Sequence, residues 1–344
     1  MRKKTGLLLI ILLLIYVTIA LFPRFPNHKG SNPLRRTSEL PLLIAHGGGN
    51  KEFPDNTLEA FYHAYSIDPG MMLETDVSLT KDGVIILSHD TTLDRKTNLV
   101  QASIYDIEYQ TLVDQEVDFS YHNPVTPSSN GYNVTATFVR YQNYLGEAVS
   151  PLDVDYPEGV HPRHDSKFLV TTLEDLIQAF PDNKINVEIK QSGSIGLEAL
   201  AAVIDLMERT DENYQTFSRM VLASFHKEIF SELLRIKKED HPELMLSPAT
   251  KGVIKYYALH VLGLDLFYFD TVTVLQVPPV EMGLHLDTKG FIETAHRHNI
   301  AVHYWTIDDP ETMRLLIKNG ADGIMTNIPS LLKSVMDAIE TDSE

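Results

Sequence analysis

His46 and His89 each follow a short apolar run, residues 42–45 and 84–87, and the triplet Glu74-Thr75-Asp76 lies between them in the chain. A lone histidine among the 14 present, or a pair of acids at a strand end, is commonplace. Their alternation is what singles them out. Two imidazoles on opposite sides of a phosphorus centre can divide the work of general base and general acid. Glu74 and Asp76 are two residues apart, so in a strand both carboxylates project to one side. Two carboxylates that close repel unless a proton or a cation sits between them. Glu188 adds a third. The chain has no cysteine, so a metal there would be held by hard oxygen donors, which favours Ca²⁺ or Mg²⁺ acting as a Lewis acid. Lys190 shares the face of Glu188 and reads either as its ion-pair partner or as a phosphate contact. The Gly47-Gly48-Gly49 run makes a tight turn or offers backbone N–H groups to an anion; it is not a P-loop, because no Gly-Lys-Ser/Thr follows. Phe225 and Trp305 end apolar runs and serve either as barrel filling or as a wall for an alcohol group.

These residues need elements that deliver them to one place. From residue 42 onward, short β-branched runs alternate with amphipathic stretches, which predicts parallel α/β structure. Strands are expected at 42–45, 72–77, 84–87, 185–189, 220–224, 301–305 and 323–326. A further one falls at either 245–247 or 272–276. Helices are expected where Leu58, Phe61 and Tyr65, or Leu173, Leu176, Ile177 and Phe180, recur at spacings of three and four. Asp309 and Pro310 open another helix that Gly320 closes. About eight strand–helix repeats imply an α/β fold of the (β/α)8 TIM-barrel type, with its site at the C-terminal ends of the strands. Residues 105–168 hold many Tyr, Asn, Pro and Ser without a sustained period and read as an insertion after the third strand. The tripeptide Asn133-Val134-Thr135 within it matches a glycosylation acceptor.

The N-terminus differs from the rest. Arg2, Lys3 and Lys4 precede an uncharged apolar run over residues 6–22. That run is expected to be a transmembrane signal-anchor, with a basic cytosolic flank at 1–5, making a single-pass protein of the cell membrane whose catalytic domain is extracytoplasmic. A linker (23–37), the barrel (38–335) and a C-terminal tail (336–344) complete the expected order. Seven of the 29 Lys and Arg precede the first acid, Glu39, so the remaining 22 face all 47 Asp and Glu, a balance of −25. Such a body repels nucleic acid.

With these residues in view, the chain resembles the glycerophosphodiester phosphodiesterase family. The stretches IAHGGGNKEFPDNTLEAF (44–61) and LETDVSLTKDGVIILSHDTTLDRKTN (73–98) are similar to its N-terminal signature. NVEIK (186–190), ASF (223–225) and YWTIDDPETMRLLIKNGADGIMTNIP (304–329) follow its later blocks in order. The resemblance implies a barrel like that of phosphatidylinositol phospholipase C. It implies hydrolysis of a glycerophosphodiester to glycerol 3-phosphate and an alcohol, with the substrate's own glycerol hydroxyl attacking phosphorus first. It maps His46 and His89 as the acid/base pair and Glu74, Asp76 and Glu188 as metal ligands. Lys190, Gly47, Asn56, Phe225 and Trp305 become candidate substrate contacts. Glycerophosphodiesters, lysolipids and polyglycerol phosphate are the expected substrates. A non-catalytic binder of glycerol phosphate or teichoic polymers, a lysophospholipase D and a phosphatidylinositol-type phosphodiesterase are the alternatives. Three positions depart from the family pattern: Gly47 stands where it has arginine, Asp55 where it has glutamate, and Asn327 where its T-D-x-P has aspartate.

Overall fold

The computed structural model describes residues 2–27, 30–100, 102–128, 131–134 and 138–343. The β-branched and apolar runs form nine strands around one centre: β1 Leu42–His46, β2 Met72–Leu79, β3 Ile85–Leu87, β4 Ile185–Ile189, β5 Met220–Ala223, β6 Met245–Leu246, β7 Val274–Val277, β8 Ala301–Tyr304 and β9 Gly323–Thr326. Eight are parallel and run in the order β6-β5-β4-β2-β1-β9-β8-β7. At the seam between β6 and β7 the Thr273 N–H donates to the Leu246 carbonyl at 2.9 Å, so the barrel is nearly closed. Both segments that competed for the sixth strand are staves.

β3 is not a stave. It pairs antiparallel with β2, Val77 opposite Leu87. The physical reason lies in the connection: Lys81-Asp82-Gly83 is a short turn, and a parallel pair needs a crossover of a dozen or more residues. The inserted region therefore follows a hairpin rather than a barrel strand. It holds the helix Tyr109–Asp114 and the small hairpin Val125–Ser128 with Gly131–Val134. Its own apolar cluster includes Leu93, Ile104, Leu112, Phe119 and Phe168, packed with Phe53 and Ile86. The Tyr141 hydroxyl donates to the Asn50 carbonyl at 2.8 Å, and the Tyr144 N–H to that of Lys51 at 2.7 Å, which ties the insertion to the loop after β1. Of the Asn133-Val134-Thr135 tripeptide, Thr135 lies outside the described residues.

The period of two along each stave separates two cores. Leu43, Ala45, Leu73, Ile185, Val187 and Ile189 face outward and pack against helical residues such as Phe61, Leu173, Leu176 and Leu200. Ile44, Met72, Val221, Met245, Val274, Ala301 and Met325 face inward and fill the barrel around Leu34. Each helix has its local reason. Thr57 and Thr172 cap Leu58–Ile67 and Leu173–Ala179 by accepting N–H bonds, and Asp309 with Pro310 opens Pro310–Asn319, which ends at Gly320 in the left-handed region. The last helix, Pro329–Ser343, extends through the stretch expected as a tail.

The expected transmembrane anchor is overturned. The N-terminal helix is Arg2–Leu21, but among the described residues no helix is long and apolar enough to cross a membrane. Past its three basic residues the helix has 17 residues, about 26 Å at 1.5 Å each, against a hydrocarbon core of about 30 Å. The single-pass topology, the membrane partner through residues 6–22 and the extracytoplasmic placement of the catalytic domain are withdrawn with it. The helix instead touches the barrel near its end: the Tyr16 hydroxyl donates to the Leu262 carbonyl at 3.0 Å, and Arg24 beyond it pairs with buried Asp265.

Candidate active site

On most staves the inward face carries a polar residue two positions beyond its core residue, whereas on β5 Val221 is followed by Ala223. Ile44 leads to His46, Met72 to Glu74 and Asp76, Met245 to Ser247, Val274 to Gln276, and Met325 to Asn327. On β4 the same face carries Asn186, Glu188 and then Lys190. Register closes the group, since His46 lies opposite Glu74 and Asp76 opposite Glu188.

Glu74, Asp76 and Glu188 each offer a carboxylate oxygen within 4.8 Å of the others. Glu74 and Asp76 are buried, each only 2% exposed. Burial and neighbouring Asp76 together push the Glu74 carboxyl up to about 7. Glu188 is also raised by burial, against the pull of Lys190. The Lys190 ammonium lies 2.9 Å from Asp76 Oδ1 and 2.8 Å from Glu188 Oε1. Burial works against its charge, but these two carboxylates outweigh it and raise its pKa. Asp76 Oδ1 is buried with no well-aligned hydrogen bond, only this ion pair. An all-oxygen donor set with one underused buried oxygen fits a hard divalent cation.

Two sequence candidates turn out to hold these carboxylates. The Gly47 N–H donates to Glu74 Oε2 at 2.9 Å. Asn56, with φ 57°, donates from Nδ2 to Asp76 Oδ2 at 3.1 Å, while its Oδ1 accepts from the Thr75 hydroxyl at 2.7 Å and the Asp76 N–H at 3.1 Å. Both amide ends of Asn56 are thus spent on β2.

The two imidazoles have different partners. His46 Nδ1 meets Asn327 Oδ1 at 2.6 Å, and its Nε2 lies 3.9 Å from Glu74 Oε2. Burial lowers its pKa, but Glu74, Asp76 and the Asn327 bond outweigh burial, and the net shift is upward. His89 Nδ1 meets Asp90 Oδ1 at 3.0 Å, and this bond raises the His89 pKa against burial. Asp90 in turn pairs with Arg95. Burial opposes its charge, but the His89 bond and Arg95 hold it down to about 2. Arg95 and Lys96 also flank Asp55, each at 3.3 Å; despite burial they keep its carboxyl well below the usual range.

His46, His89, Glu74, Glu188 and Lys190 line one cavity of about 220 Å³, with Phe225 and Trp305 at its wall. Those two rings meet edge to face, centroids 6.0 Å apart, and Phe225 is 55% exposed. A larger open hollow at the other end of the barrel, beside Phe217, Lys237 and Phe269, contains none of these groups. The sequence reading missed Asp308, Asp90, Arg95, Asn186, Ser247 and Gln276, and it marked Asn327 only as a departure from the family pattern. The rule that picked Glu74 with Asp76 would have reached Asn186, Ser247, Gln276 and Asn327 had the inward face of each strand been known. Asp90 directly follows His89 and needed no further signal.

A parallel barrel with carboxylates and imidazoles at the C-terminal mouth defines a class of barrel hydrolases. Residues 46–331 match the glycerophosphoryl diester phosphodiesterase family, and the chain belongs to that family: it is a phosphodiester-hydrolysing enzyme with an acidic cluster suited to a divalent cation. It is 25% identical to the glycerophosphodiester phosphodiesterase of Caldanaerobacter subterraneus subsp. tengcongensis, over 85% of this chain and 96% of that protein. It is 23% identical to the mouse (Mus musculus) lysophospholipase D GDPD3, over 96% of this chain and 92% of that one. The crystal structure of glycerophosphodiester phosphodiesterase from Agrobacterium tumefaciens shares the fold with a TM-score of 0.56 at 18% identity, covering 86% of this chain and all of that one.

Proposed function

We propose that this enzyme cleaves a glycerophosphodiester to glycerol 3-phosphate and an alcohol, with His46 and His89 as the proton-transfer pair. The observation that carries the reading is convergence: both imidazoles line a single cavity with Glu74 and Glu188, two members of the carboxylate cluster that Asp76 completes. Glu74, Asp76 and Glu188 would hold Ca²⁺ or Mg²⁺, which when bound supplies Lewis-acid polarisation of a non-bridging phosphoryl oxygen. One imidazole takes the proton of the attacking hydroxyl while the other gives a proton to the departing alkoxide. Lys190 supplies a fixed positive charge beside the phosphate in a body rich in acids. The half-open Phe225 and Trp305 wall suits an alcohol that extends out of the mouth. That feature, together with relatives named lysophospholipase D, supports comparing lysolipids with simple glycerophosphodiesters and polyglycerol phosphate as substrates.

The test is a product assay over those three substrate classes with Ca²⁺, Mg²⁺ or EDTA. Glycerol 3-phosphate should be released from at least one class, and EDTA should abolish its release until either cation is restored. His46→Ala and His89→Ala should each lower kcat by about 10²–10⁴-fold while circular dichroism stays unchanged. Full activity in either folded variant would sink the acid/base assignment.

A further inference from the structure

His46 Nδ1 does not face a carboxylate. It faces the side-chain amide of Asn327 at 2.6 Å, and that amide is fixed from behind. Its Nδ2 donates to Asp308 Oδ2 at 2.7 Å, and the Asn327 backbone N–H donates to Asp308 Oδ1 at 2.8 Å. Asp308 also accepts from the Thr326 hydroxyl at 3.0 Å and pairs with the Lys51 ammonium at 2.9 Å. An ionised carboxylate is acceptor-only. Rotating the amide by half a turn would set its oxygen against Asp308, two acceptors at hydrogen-bond distance with no proton between them. Asn327 must therefore show its NH₂ to Asp308 and its oxygen to His46. An amide oxygen only accepts, so the His46 nitrogen facing it carries hydrogen. In the neutral ring the other nitrogen, Nε2, then keeps its lone pair on the side of the cavity, towards Glu74.

We infer that Asn327 is a positioning residue that locks neutral His46 in the Nδ1–H tautomer, with Asp308 and Lys51 holding the amide in the one orientation that does so. This rests on the proton-transfer role proposed for His46, and it gives His46 the part of base, since its cavity-facing nitrogen is the unprotonated one. A partner at this depth typically changes activity by about 10–100-fold when removed.

The decisive measurement reads the tautomer directly. Nitrogen-15 spectra of the imidazole groups are recorded on the full chain with Ca²⁺ present, well above the ordinary histidine pKa of about 6.5. The His46 signals are assigned by their loss in His46→Gln. The wild type should show a pyrrole-like Nδ1 and a pyridine-like Nε2. Asn327→Leu should lose that pattern and lower kcat about 10–100-fold, with KM changed far less. Asn327→Asp alone should also lower kcat, because it sets a second carboxylate against Asp308. Combining it with Asp308→Asn restores one acceptor towards His46 and one donor behind it, so the double variant should recover both the tautomer and most of kcat. If Asn327→Leu does not fold, the comparison of the single and double aspartate variants decides. Retention of the wild-type tautomer and kcat in folded Asn327→Leu overturns the inference, and so does a double variant no better than Asn327→Asp. The spectra need no turnover: absence of any diesterase activity would refute the proposed function and leave the tautomer result standing.

Discussion

Glu74 carries the sharpest electrostatic consequence at the scale of a single residue. In the cation-free protein, burial and Asp76 raise its carboxyl from 4.5 to about 7. Between those values the folded protein keeps a proton that the unfolded chain releases. Stability then falls as pH rises, being fully present below the unfolded pKa and lost above the folded one. The raised pKa values of His46 and His89 act in the same direction, since a histidine held above its ordinary value stabilises at low pH and ceases to as pH climbs through its folded pKa. Asp90, held at about 2, has the opposite sign: its contribution is present above its ordinary 3.8 and lost as pH falls through about 2. It is therefore constant across the window in question. His122, His260, His298 and His303 are pushed down by burial and act with the opposite sign. The Glu74 contribution is therefore read as a difference: in EDTA, the unfolding free energy of wild type relative to Glu74→Gln, from urea titrations, should decline from about pH 5 to about pH 7.5. Ca²⁺ should flatten that decline, because it binds the ionised form of Glu74. A cation-free difference that rises through this window would contradict the account.

At the scale of elements, the turn after β1 is the piece most constrained by shape. Gly48 has φ 83°, and a Cβ there would lie 2.8 Å from Ala60 Cβ and 3.0 Å from the Ala60 carbonyl carbon, inside the helix Leu58–Ile67. Left-handed backbone costs an ordinary residue about 1–2 kcal/mol, and overpacking adds about 1–3 kcal/mol. Gly48→Ala should therefore destabilise by about 2–5 kcal/mol in a denaturant titration. It should also lower activity, because the same turn carries His46 and sets the Gly47 N–H on Glu74. What the sequence discloses about such elements depends on contrast. Glu74 and Asp76 were legible because Leu73 and Val77 are apolar on the other face of β2, so period two separates the faces cleanly. Asn327 was visible only as a departure from the family pattern and not as an inward residue, because Ile324 and Met325 are both apolar and nothing in the sequence says which one points into the barrel. Its contact with His46 spans 281 residues and has no local signature. The hairpin of β3 was readable in principle: the turn at residues 81–83 that suggests a break also forbids a parallel pair. The family blocks located His46, His89 and the carboxylates, yet they could not show that Asn56 and Gly47 brace the acidic cluster. That depends on side-chain directions fixed only by the closed barrel.

For the whole molecule, the two ends of the barrel divide chemistry from stability. The C-terminal mouth holds the charged cluster, and the opposite end is stoppered by a segment whose composition reads as a connector. Asn32 Nδ2 donates to the Thr273 and Asn299 carbonyls, each at 2.8 Å. Leu34 is fully buried among Ile44, Met72, Val274 and Ala301, and its carbonyl lies 2.9 Å from Nε2 of buried His303. Proline, glycine and arginine nearby hide this, because one leucine gives no periodicity to detect. The apolar run ahead of it misleads in the opposite sense, since hydrophobicity without enough length does not make a membrane span. The stopper has a measurable weight. Truncating a buried leucine in a closed interior removes its transfer energy and leaves a cavity, together about 2–5 kcal/mol. The barrel's floor is formed by strand backbones that cannot collapse inward, so Leu34→Ala should fall within that range by urea unfolding. Ile44 and Met72 lie one inward step below His46 and Glu74, and they keep their strand pairing whether or not the stopper is full. The kcat of the folded variant on its best diester should then stay within about twofold of wild type, as expected for the stability face of such a barrel. A loss of less than about 1 kcal/mol would show that the segment is no stopper. A collapse of kcat at retained fold would show that the floor positions the mouth after all.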